Sequence, residues 1–124
     1  MRACLFLGIA TLWLAAPSGP AFADADPGRG KTVFGRCSGC HATTAQNKVG
    51  PHLAGVFGRT AGTVAGFRYS KAMAGSGSVW NEQTLDAFLA APTKTLPGTS
   101  MAVGLPNAQD RADVIAYLKT LTGP

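Results

Sequence analysis

The sequence is poor in the residues that build most metal and redox sites. Of its 124 residues, three are cysteines, two are histidines and six are acidic. It also lacks a long hydrophobic run. The one apolar stretch, Cys4 to Ala16, is about thirteen residues, short of the roughly twenty that a membrane-spanning helix needs. It follows Arg2, breaks at Pro17-Ser18-Gly19-Pro20 and leads to Ala21-Phe22-Ala23 before Asp24, the layout of a secretory signal peptide with a small-x-small cleavage site. The expected division is a signal peptide over residues 1–23 and one small domain over residues 24–124, delivered to the periplasm without a permanent membrane anchor. Export would remove Arg2 and no acid, so a chain of net charge +5 stays basic. It would also take the chain away from nucleic acid, which argues against a nucleic-acid partner.

Cys4 would leave with the signal peptide, and the remaining cysteines both fall in the stretch FGRCSGCHATT, which begins at Phe34. Cys37, Cys40 and His41 offer three possible metal or redox ligands. Structural zinc sites draw on a second Cys or His pair, and here only His52 remains. A thioredoxin-like dithiol opens a helix after a strand, but no strand alternation precedes Cys37. What is left is Cys-x-x-Cys-His, the attachment sequence for a c-type heme. Two thiols two residues apart on a helical turn can each form a thioether to one vinyl group of a single porphyrin. His41 then lies beneath the iron as an axial ligand. The expected cofactor is one heme c, held through Cys37 and Cys40.

Three helices are predicted around that site. Asp26 before Pro27 is a helix start, and the helix runs into Arg36 and Cys37 with Val33, Phe34 and Cys37 on one face. Gly28, Gly30 and Gly35 within it each cost about 1 kcal/mol relative to alanine, which calls for a close helix crossing to offset them. Asn81 caps a second helix, with Trp80 and Leu85 placed as a hydrophobic staple and Leu85, Phe88 and Leu89 on its apolar face; Pro92 ends it. Asn107 caps the third, Asp110 and Asp113 sit near its positive end, and Lys119 and Gly123 mark its close. Between the first two helices, residues 50–77 carry seven of the 16 glycines and no sustained periodicity. So long a loop is unusual in a compact domain. A covalently held porphyrin would give its scattered apolar side chains a plate to pack on, making the heme core as well as cofactor.

The chain resembles a class I c-type cytochrome, close in pattern to mitochondrial cytochrome c and small soluble bacterial cytochromes c. The resemblance rests on Gly30 and Phe34, CSGCH, GPHLAGVFGRTAG from Gly50 to Gly62, FRYS from Phe67, Trp80, PGTSM from Pro97 to Met101 and RADVIAYLK from Arg111. It implies an all-α cytochrome c fold, three main helices and long loops around the heme, with the first and last helices crossing at Gly30 against Tyr117 and Val114. Met73 and Met101 both offer a thioether as the sixth iron ligand. The Pro97-Gly98-Thr99-Ser100 turn and the family's ligand position favour Met101. His52, the rival, is expected to be a solvated loop histidine. The resemblance also implies that the Pro51 carbonyl accepts from the His41 ring and that Arg59, Tyr69 and Trp80 hydrogen-bond a heme propionate. Where relatives commonly place a tyrosine that bonds the methionine sulfur, this chain has Phe88.

With both axial positions filled the iron has no open site, so the function implied is a periplasmic single-heme electron carrier and not an enzyme. Two alternatives use the same residues: a dedicated heme subunit of a larger dehydrogenase or oxidase, and a heme peroxidase or ligand sensor if the Met101 bond is weak. A monomer is expected, meeting redox protein partners with acidic docking faces. Arg36, Lys48 and Lys94, with Lys31 nearby, would form the complementary basic ring.

Overall fold

The computed structural model describes residues 24–123, so the signal peptide expected over residues 1–23 lies outside the described residues. Five helices follow in order: α1 Pro27–Phe34, α2 Lys71–Ala74, α3 Glu82–Ala90, α4 Pro92–Thr95 and α5 Ala108–Lys119. Among the described residues the only β pairing is an isolated antiparallel bridge between Thr60 and Val79. The architecture is all-α. None of these helices is long and apolar enough to cross a membrane.

Local chemistry sets the helix starts. The Asp26 carboxylate accepts from the Gly28 and Arg29 amides, and Pro27 occupies the first helical position, where a missing N–H costs nothing. Asn81 and Thr84 form a reciprocal capping box at α3, 2.9 Å and 2.8 Å. Asn107 accepts from Asp110 N–H at 2.9 Å to open α5. Two boundaries differ from expectation. The regular part of α1 stops at Phe34, and the chain tightens into three-residue turns that carry Arg36 and Cys37. Pro92 does end α3, but through an extended Ala91 (φ −158°), and then starts α4 as its first residue. The single-turn α2 escapes sequence reading because four residues are too short to show a period, although Ser70 caps it by accepting from Met73 N–H.

α1 and α5 cross closely. A Cβ built on Gly30 would overlap the Asp113 carbonyl and lie 2.9 Å from Tyr117 Cβ. Tyr117 takes part as expected, whereas the second wall is the Asp113 backbone; Val114 is buried in the core beside it. Phe34 stacks obliquely on Tyr117, ring centroids 5.4 Å apart. Phe34, Val56, Leu85, Leu89, Leu105, Val114, Ile115 and Leu118 form one core, with Met101 and Trp80 packed on it.

Asp113, expected near the positive end of α5, is 2% exposed and does more than complement a dipole. Its Oδ1 accepts from Asp26 N–H at 2.8 Å, from the Gln109 amide at 3.0 Å and from Arg29 at 3.2 Å. Burial pushes its carboxyl pKa up, but these donors and the Arg29 charge outweigh burial and hold it below its ordinary value. Arg111, in the first turn of α5, ties that helix to α3 through Asp86 at 2.6 Å and to the loop before it by donating to the Leu105 and Pro106 carbonyls.

Candidate functional site

The core opens into a cavity of about 500 Å³, within the range of cofactor sites and walled chiefly by apolar side chains. Every residue expected at the site reaches its wall: Cys37, Cys40 and His41 from the turns after α1, Pro51, Arg59 and Tyr69 from the long loop, Trp80 before α3 and Met101 after α4. Met73 reaches it too, while His52 does not. Instead His52 borders a second, smaller cavity and its Nδ1 is enclosed without a partner among the described residues, so it is not the solvated histidine expected.

The turns after α1 place the first three groups. Cys37 N–H donates to Phe34 O, and Cys40 and His41 N–H both donate to Cys37 O, so the two thiols and the imidazole lie within a turn of one another. Cys37 is half-buried and Cys40 exposed. Burial pushes the Cys37 thiol pKa up, the Arg36 charge opposes this and Cys40 adds to it. His41 Nδ1 lies 2.7 Å from the Pro51 carbonyl oxygen. A carbonyl can only accept, so Nδ1 carries the proton, and in the neutral ring Nε2 then keeps its lone pair. Gly50 packs flat on the ring: an added Cβ would lie 2.7 Å from Nδ1.

Arg59 and Trp80 come together through backbone pairing. Gly58 N–H donates to Trp80 O and Trp80 N–H to Arg59 O, at 2.7 and 2.9 Å, alongside the Thr60–Val79 bridge. The Arg59 guanidinium donates to the Ala54 and His52 carbonyls at 3.1 and 3.0 Å. Burial pulls its pKa below the usual arginine value, with Tyr69 opposing. Tyr69 Oη accepts from Val64 N–H at 3.1 Å, which leaves its proton to donate. These donors on an otherwise apolar wall suit an anionic carboxylate.

Met101 stands on a loop fixed at both ends. Thr99 N–H donates to Leu96 O across Pro97-Gly98, with φ +89° at Gly98, the type II turn that needs glycine in third place. Past the methionine, Leu105 N–H donates to Leu89 O at 2.7 Å, and Gly104 sits so close that a Cβ would meet Leu89 O at 2.8 Å. Phe88, without a hydroxyl, lines the cavity and packs on Trp80 with ring centroids 5.2 Å apart.

Residues that sequence reasoning missed also stand at the site. Val49 and Val103, 80% and 67% exposed, line the cavity as well; a lone exposed valine carries no sequence signal. Arg36, expected in the basic ring, is exposed and paired with Asp110 at 3.3 Å. Arg68, exposed, stands on the cavity wall and was not expected there.

A heme fits this site on the structure's own terms: two thiols and a pre-oriented imidazole border an apolar cavity, with a methionine and a cluster of propionate-type donors on its wall. Comparison with known proteins agrees in kind. The family model described as Cytochrome c matches residues 28–122. Cytochrome c2 of Rhodomicrobium vannielii is 48% identical over 120 residues, covering 94% of this chain and 93% of that protein. Cytochrome c2 iso-2 of Magnetospirillum fulvum is 52% identical over 101 residues, 80% of this chain and 100% of that one. The solved structure of cytochrome cH from Methylobacterium extorquens superposes with a TM-score of 0.74 at 40% identity, covering 77% of this chain and 99% of that one.

Proposed function

The chain belongs to the cytochrome c family, and from that premise we propose that it is a periplasmic single-heme electron carrier whose iron is ligated by His41 and Met101. The observation that carries the reading is the His41 ring, locked by the Pro51 carbonyl at 2.7 Å beside two thiols on the wall of an apolar cavity. When bound, heme c supplies an iron that exchanges one electron between ferric and ferrous states.

The protein's part is to hold, orient and exclude. Cys37 and Cys40 attach the group covalently. Pro51 fixes the His41 tautomer so that Nε2 faces the role of ligand with its lone pair, and the hydrogen bond strengthens it as a donor. Met101 supplies a soft thioether from a loop that two hydrogen bonds hold in place, and His/Met ligation raises the reduction potential. Arg59, Tyr69 and Trp80 receive the propionates. The apolar walls disfavour the more highly charged ferric form. With two protein ligands, no position remains for a substrate, which makes this electron-transfer chemistry and not enzyme catalysis. Its partners are redox proteins with acidic faces, met by a monomer.

Because Met73 shares the cavity wall with Met101, the deciding experiment compares the two. Met101→Ala should abolish the far-red ferric absorption band that iron–thioether bonding gives. It should also lower the potential and let carbon monoxide bind the ferrous iron. Met73→Ala should do none of these, and the reverse pattern would move the ligand to Met73.

A further inference from the structure

The peptide group between Pro51 and His52 is held from both edges. On one edge its carbonyl accepts from His41 Nδ1–H at 2.7 Å; on the other its N–H donates to Asn47 Oδ1 at 3.0 Å. No cis peptide bond occurs among the described residues, so C=O and N–H point in opposite directions and the two bonds lie head to tail. Asn47 in turn donates its Nδ2–H to the Ala65 carbonyl at 3.2 Å. That second bond settles which atom of the amide is which: His52 N–H needs an oxygen, Ala65 O needs an N–H, and one orientation satisfies both.

We propose that Asn47 is a positioning residue that acts on His41 through the Pro51–His52 peptide, setting how strongly the axial imidazole donates and thereby the reduction potential. This rests on the reading that His41 ligates the heme iron. Hydrogen bonds in series polarise one another. An acceptor on the peptide N–H draws that proton away from nitrogen and places more negative charge on the carbonyl oxygen. The carbonyl then pulls harder on the Nδ1 proton, and a ring with more imidazolate character stabilises ferric over ferrous iron. Asn47 therefore lowers the potential. Its own position is fixed by the Ala65 tie and by the neighbouring backbone, in which Lys48 N–H donates to Gly50 O and Gly50 N–H to Cys40 O.

The test uses the heme-loaded protein with two substitutions that part electronic from structural roles. Asn47→Asp keeps an acceptor for His52 N–H, and a stronger one, but loses the donor to Ala65. Asn47→Leu loses both. The readouts are the reduction potential and the 15N resonance of His41 Nδ1 in the ferrous state. Under the proposal Asn47→Asp lowers the potential and moves Nδ1 toward imidazolate, whereas Asn47→Leu raises the potential and moves Nδ1 the other way. A role limited to tying the loop would make the two variants alike, both less stable with Nδ1 unmoved, and would overturn the proposal. A shift in potential with Nδ1 unmoved would overturn it as well, because the added charge of aspartate acts through space without the peptide. Should Asn47→Leu fail to fold, the Nδ1 resonance of Asn47→Asp decides alone. Upfield displacement of the His41 ring protons in the native protein checks the underlying reading separately: without it the ligand assignment and the proposal both fall, and with it an unmoved Nδ1 removes only the role of Asn47.

Discussion

A methyl group on Gly50 would lie 2.7 Å from His41 Nδ1, and the imidazole would have to move away from the Pro51 carbonyl to admit it. Gly50→Ala should therefore destabilise the fold by about 1–3 kcal/mol, as overpacking does. It should also speed exchange of the Nδ1 proton, measured by denaturant unfolding and by NMR. A stable variant with a protected Nδ1 proton would show that the ring has room. At this scale, what was legible in the sequence was chemistry carried by residue type: a thiol, an imidazole or a thioether has few uses, so Cys37, Cys40, His41 and the Met73/Met101 pair could be named directly. Gly50 and Asn47 could not. Their roles arise from where a backbone plane lies, and neither side chain announces a backbone plane. His52 misled for the same reason, since an imidazole after a proline in a glycine-rich stretch reads as solvated while the folded loops enclose its Nδ1.

α1 and α5 meet at a glycine and are latched by a carboxylate, and both features can be tested. At Gly30 any β-carbon collides with the Asp113 carbonyl, which belongs to backbone and cannot rotate away. Gly30→Val should thus cost roughly 3 kcal/mol or more, exceeding the approximately 1 kcal/mol of helix propensity that the change recovers; calorimetry would show it, and a stabilised variant would refute the close crossing. The Asp113 latch adds a pH dependence. Its folded pKa lies below the unfolded value of about 3.9, so its contribution is fully present above that pH and is lost as pH falls through the lower folded value. Asp113→Asn should lose roughly 1.5–3 kcal/mol at pH 7, the worth of hydrogen bonds to a charged group, and the gap to the native protein should narrow as the pH is taken below about 4. A gap constant with pH would mean that the carboxylate charge adds nothing. The helix starts were legible because Asp26, Asn81 and Asn107 act on amides two or three residues away. The latch was not, because the donors that join α5 to α1, Asp26 N–H and the Arg29 guanidinium, lie 87 and 84 residues away.

Charge acts on the whole molecule. The basic ring expected from sequence is thinner in the structure, since Arg36 is paired with Asp110, while Lys94 is exposed and Arg68 joins the cavity wall. Lys48 is exposed but its ammonium donates to the Ser38 carbonyl at 2.5 Å. Lys119, on the last turn of α5, is engaged with Glu82 and lies over the Phe57 ring at 5.0 Å. A field of this kind is screened over about 30 Å at 0.01 M salt and about 8 Å at 0.15 M. The bimolecular rate with an acidic redox partner should fall steeply across that range, and Lys94→Glu should flatten the dependence with the absorption spectrum unchanged. Equal sensitivity to Lys119→Glu would mean that the positive charge serves solubility and not steering.

The crossing of α1 with α5 also orders events in time. A chain that emerges amino end first presents α1 with no partner, because the surface that receives Gly30 and the carboxylate that receives Asp26 N–H arrive with Asp113 and Tyr117. An eight-residue helix is too short to persist alone in water. Until α5 arrives, the segment bearing Cys37 and Cys40 therefore stays unfolded and open to reagents, and closure waits on the last helix.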